Sequence, residues 1–163
     1  MEHNDMKTEE DRQITPLGIY VTLLGLVTVA FGMADILVWA GVSPGFQVGI
    51  LAIAGDDFFR WAWGGFIVVC AGLFMLAGCT RVTSLQQSAK VVLGGVLVWL
   101  IAGTDIFARL CGAIPAGETS PAFFNSVSGF LAAFAPPYTP AVLLLPFTLG
   151  IVYLIRIHDT DDS

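Results

Sequence analysis

Four apolar stretches, each long enough to cross a bilayer, dictate what this chain can become. They cover residues 16–40, 58–79, 88–111 and 139–157, and between them hold six charged side chains: Asp35, Arg60, Lys90, Asp105, Arg109 and Arg156. At 1.5 Å per residue the first spans about 37 Å, more than the ~30 Å hydrocarbon core of a bilayer. Inside that core each backbone N–H and C=O must be bonded within its own segment, so helices are expected throughout. The chain is 56% hydrophobic and only 12% charged, whereas a soluble domain is about a quarter charged. The expected fold is therefore all-α, a bundle of four transmembrane helices. Residues 1–15 form a polar, acidic tail, 80–87 a turn and 158–163 a second tail. No cleavable signal peptide is expected, because the apolar run after the first tail is too long for a signal core.

The connections suggest a duplication. Ser43-Pro44-Gly45-Phe46 follows the first apolar segment and Ser120-Pro121-Ala122-Phe123 follows the third. Each lies downstream of an Asp-Ile pair, Asp35-Ile36 and Asp105-Ile106. Serine before proline suits a helix N-cap followed by its first position. Two short outer helices are thus expected, over 44–54 and 121–134, either lying in the interface or re-entrant. The chain then divides into two tandem repeats, 16–79 and 88–157, each a spanning helix, a short helix and a spanning helix. The spacing is not equal: Asp35 to Ser43 is eight residues, and Asp105 to Ser120 is fifteen.

Small residues recur every seven positions: Gly18, Gly25 and Gly32 in the first segment, Gly65, Gly72 and Cys79 in the second, Ser88, Gly95 and Ala102 in the third. Such stripes let helix backbones approach closely in membranes. Pro146 predicts a kink in the fourth segment, with Thr148 placed to satisfy a freed carbonyl. Trp99 lies near mid-membrane, and its indole N–H requires a partner, so it should face protein. Five of the seven cations, Lys7, Arg12, Arg81, Lys90 and Arg156, lie on the side of the tails. The positive-inside rule then puts both termini in the cytoplasm of a cell-membrane protein.

The candidate site consists of Asp35, Asp105, Arg109, Arg60, Asp56 and Asp57. Asp35 and Asp105 sit six or seven residues from the outer ends of their segments, roughly 9–10 Å deep. A carboxylate at mid-membrane costs about 2.5–3.5 kcal/mol on insertion scales, less near the interface, so each requires a partner. Asp105 has Arg109 one turn further on. Asp35 has Trp39 there, and Arg60 is its nearest cation by depth. As a pair, the acids read either as an outward-facing ion path or as ties between each spanning helix and its short outer helix. The tie is preferred, because no further polar residue leads inward. Asp56 and Asp57 precede the second segment and suit caps for its N-terminus.

Other classes find no support. The acids cluster in the tails and the net charge is −6, which argues against nucleic acid. His3 and His158 lie in the tails, so no metal or haem ligand set is expected. Cys70, Cys79 and Cys111 form no CxxC pair, and no catalytic triad or phosphate loop occurs. The expected role is that of a non-enzymatic structural or accessory subunit without a cofactor. Its partners are the lipid bilayer and other membrane subunits or copies of itself. A small transporter or channel with an outer acidic vestibule is the alternative.

Overall fold

The computed structural model describes residues 16–82, 84–112 and 134–161. Within them the chain is mostly helical, with four long helices: α1 (Pro16–Trp39), α2 (Gly64–Gly78), α3 (Leu85–Gly112) and α4 (Pro140–Asp161). A wide π-helical turn, Phe58–Trp63, leads into α2, and a 3₁₀ turn, Cys79–Arg81, leaves it. Three helices are long and apolar enough to cross a membrane: Pro16–Trp39, Phe58–Gly78 and Leu85–Cys111. In α4 the apolar stretch is shorter, Pro140–Tyr153. The third helix starts three residues earlier than the apolar run predicts, at Leu85 rather than Ser88. Ser84 accepts from the backbone N–H groups of Gln87 and Ser88 there, at 3.0 and 2.9 Å.

Glycine determines how α1 and α2 meet. A Cβ on Gly32 would lie 2.6 Å from the Gly65 carbonyl oxygen, and one on Gly72 would lie 2.7 Å from the Gly25 carbonyl oxygen. These approaches recur seven residues apart on both antiparallel helices, so the two axes stay close over two turns. The seven-residue stripes on these segments are thus an internal seam. The third stripe behaves differently. Gly94, not Gly95, makes the close approach to α2, 2.6 Å from the Ala71 carbonyl oxygen. Gly95 faces α4 at ordinary contact distance, 3.9 Å from Thr148.

The core between the helices is apolar, built on Val21, Val68, Met75, Val91, Val98 and Ile151. The polar groups Thr28, Trp99 and Thr148 within it are matched. Trp99 faces protein as expected and donates its indole N–H to the Thr148 hydroxyl at 2.8 Å. That hydroxyl donates to the Leu145 carbonyl at 2.9 Å, and not to Val142, the carbonyl that Pro146 frees. Tyr20 ties α1 to α4 through the Phe147 carbonyl at 2.8 Å.

The first of the two expected short helices is a correction. Residues 44–54 form no helix but an antiparallel hairpin, β1 (Phe46–Val48) paired with β2 (Leu51–Ile53). Two glycines explain it. Gly41, at φ 71°, ends α1: its N–H reaches the Val38 carbonyl while Val42 N–H reaches that of Leu37, a left-handed C-cap that turns the chain back. Gly49, at φ 59°, is the first central residue of a two-residue loop, the position at which a type II′ hairpin turn takes glycine. The hairpin also has a non-local partner. Ala52 N–H donates to the Tyr138 carbonyl at 3.0 Å, and Tyr138 N–H to that of Ile50 at 2.6 Å. A helix would have bonded those groups internally. The first half therefore does not follow the helix–short helix–helix plan. The second short helix expected over 121–134 lies outside the described residues, apart from Phe134, which sits in a turn. Ile53 is fully buried with Val38 and Trp61 in a small second core beneath the hairpin.

Candidate functional site

The antiparallel run of the helices brings the C-terminal part of α1, the start of α2, the C-terminal part of α3 and the start of α4 to one end of the bundle, beside the hairpin. Five of the six candidate residues meet there. Asp105 is the centre: 7% exposed, it receives the Arg60 guanidinium on Oδ1 at 2.7 Å. Its Oδ2 accepts from the Thr139 hydroxyl at 3.0 Å and has the Arg109 Nε at 3.5 Å. One carboxylate thus ties the entrance of α2, its own helix α3 and the entrance of α4.

Arg60 comes to this position through the π-helical turn. Asp57 caps the turn, accepting the Arg60 backbone N–H on Oδ1 at 3.0 Å, so the expected capping role is met by Asp57. Asp56 is exposed and stands outside the cluster. Arg109 extends the network outward. Its two terminal nitrogens donate to the carbonyls of Ala135 and Pro137, and its guanidinium lies over the Tyr138 ring, 5.7 Å from the centroid. Tyr138 is the residue bonded to the hairpin, so the cluster and the hairpin form one unit.

Asp35 is not equivalent to Asp105. Arg60, its expected partner, pairs with Asp105 instead. Asp35 is 4% exposed, and its Oδ1 has no hydrogen-bond partner among the described residues. The cause lies in the packing. Asp35 sits on the glycine seam, where a Cβ on Gly65 would come within 2.9 Å of its own, and the residue one turn on is Trp39, whose ring packs edge-on against Phe58 at 5.6 Å. Among the described residues no short helix stands nearby, since 46–53 form the hairpin.

Between Asp35 and Asp105 lies a cavity of about 270 Å³, walled also by Asp57, Arg60, Trp61, Ile101, Thr104, Ala108, Thr139 and Ala141. Three carboxylates, Asp35, Asp57 and Asp105, and two guanidinium groups, Arg60 and Arg109, make up the cluster; both guanidinium groups pair with Asp105, and among the described residues neither pairs with Asp35 or Asp57. Thr139 was not singled out by the sequence, where it stands only as the first residue of the fourth apolar stretch. Among the described residues no group of three or more His, Cys, Asp or Glu side chains is arranged to hold a metal. Comparison of the chain with protein-family models, with curated proteins and with solved structures finds no match.

Proposed function

We propose that the chain is a four-span membrane protein with a structural or accessory role, without catalytic activity of its own. Three helices are compatible with crossing a membrane, and α4, with 22 residues, reaches about 33 Å. One observation supports the role above others: Asp105 is committed to Arg60, Thr139 and Arg109, so it acts as a clamp that fixes three segments together. Inward of it, the buried polar residues are Thr28 and Thr148, and each donates to a carbonyl of its own helix. No string of polar groups leads through the bundle among the described residues. Outward-facing Leu23, Leu26, Phe66, Leu73, Leu100 and Phe107 are exposed and suit lipid or a neighbouring subunit.

Extraction in a mild detergent followed by native mass spectrometry is expected to retain a companion membrane subunit or a homo-oligomer. A lone monomer would count against the accessory role. A second function, an outer vestibule of a small transporter or channel, draws support from the cavity and the unpartnered oxygen of Asp35. Purified protein that passes no solute in liposomes removes it.

The distribution of Lys and Arg supports a topology with both termini and the 80–87 turn on the cytoplasmic side of a cell membrane, and the clamp towards the opposite side. In a background with Cys70, Cys79 and Cys111 replaced by alanine, Ile50→Cys should react with an impermeant maleimide added to intact cells. Ser84→Cys should not. The reverse pattern would invert the topology.

A further inference from the structure

Asp35 poses a problem that the clamp does not solve. A buried carboxylate oxygen without a donor costs free energy that a satisfied one does not. Here the unpartnered oxygen belongs to a residue that lines a cavity. The two neighbouring cations are engaged elsewhere, Arg60 with Asp105 and Arg109 with Asp105 and the Ala135 and Pro137 carbonyls. The cavity thus offers one carboxylate oxygen that no donor among the described residues matches.

The surroundings define what fits. A volume of about 270 Å³ is several times the ~30 Å³ share of one water molecule, so the space suits a small organic guest. Its walls include the carbon surfaces of Ile101, Ala108 and Ala141. The hydroxyl of Thr104, which donates to the Ile101 carbonyl at 2.8 Å, keeps lone pairs to accept with. Hard metal cations take about six or more oxygen ligands, whereas Asp35 with one or two hydroxyls falls short of that. Arg60 beside Asp105 further opposes a divalent ion. An alkylammonium group matches instead: its three N–H donors require only a few acceptors, and its alkyl body suits the apolar wall.

We propose that the cavity between Asp35 and Asp105 is a binding site for a small primary amine in its ammonium form, with Asp35 as the counter-ion. The site serves equally in an accessory subunit and in a vestibule, and its test requires no transport. Phe59 and Arg60 at its edge are exposed, which leaves a way in.

The probe is n-butylammonium chloride, titrated at pH 7.5 into the full chain in mild detergent and followed by calorimetry and by tryptophan fluorescence, since Trp61 lines the cavity. The wild type should bind saturably with millimolar affinity, and 1-butanol, which has the alkyl body without the charge, at least tenfold more weakly. Asp35→Asn, which keeps the shape, should weaken butylammonium at least tenfold while gel filtration and circular dichroism stay unchanged. Ala108→Leu, which fills the cavity and leaves Asp35 in place, should also lower affinity, and carries the test if Asp35→Asn does not fold. Absence of saturable binding, equal binding by the alcohol, undiminished affinity in either folded variant, or equally effective competition by sodium chloride would each overturn the proposal.

Discussion

Asp105→Ala is expected to destabilise the bundle by about 2–3 kcal/mol, whereas Asp35→Asn is expected to leave stability unchanged or to raise it slightly. The first change removes the common partner of Arg60, Thr139 and Arg109. Removing one member of a buried ion pair costs about 3–5 kcal/mol. The lower figure applies here because the Arg60 side chain is 41% exposed and can turn to water. Arg109 also retains its bonds to two carbonyls. The second change replaces a buried carboxylate that has an unmatched oxygen with a neutral amide of the same shape, which removes the desolvation cost of the charge. Reversible unfolding by denaturant in mild detergent, followed by tryptophan fluorescence, distinguishes the two. Equal losses at both positions would mean that the two acids are equivalent ties.

Gly32→Ala should cost about 2 kcal/mol, within the range for overpacking a tight interior, although alanine is the better helix former. The added Cβ would meet the Gly65 carbonyl oxygen at 2.6 Å and the Val69 backbone nitrogen at 2.7 Å. Both are backbone atoms and cannot swing aside as a side chain can, so α1 and α2 must separate. The opposing control is Gly103→Ala, where no atom lies within 4 Å of the new Cβ and no loss is expected. The same unfolding assay measures both. If Gly32→Ala were as stable as Gly103→Ala, the glycine seam would not be the contact that sets the α1–α2 distance.

The long helices were legible because long apolar segments have few alternatives to a helix. The α1–α2 seam was legible because Gly25, Gly32, Gly65 and Gly72 repeat every seven residues, a period that survives without knowledge of the partner. Trp99 was legible for a similar reason: a buried indole N–H requires an acceptor, and Thr148 supplies it. The end that carries the hairpin was not. The run 44–54 is short and apolar, and length alone does not separate a short helix from a hairpin in such a run. The decision came from the left-handed turn at Gly49 and from Tyr138, some 90 residues away in the chain. The pairing of Arg60 was illegible for a related reason. Depth along the helices put Asp35 and Asp105 at one level, but only the lateral arrangement of α2 beside α3, and the π-helical turn that aims Arg60, made Asp105 the recipient. The two acids occupy similar places in the sequence, but Arg109 follows Asp105 by one turn where Trp39 follows Asp35. That difference makes one acid a clamp and leaves the other open to a guest.

The clamp is tested most directly by a double-mutant cycle on Asp105→Asn and Arg60→Gln, with unfolding free energies measured in the same detergent. A coupling energy of about 1 kcal/mol or more is expected, as for residues that share an ion pair. The same cycle run on Asp35→Asn and Arg60→Gln should give a smaller coupling. Additivity between Asp105 and Arg60, with the coupling found at Asp35 instead, would contradict the arrangement of charges on which the account rests.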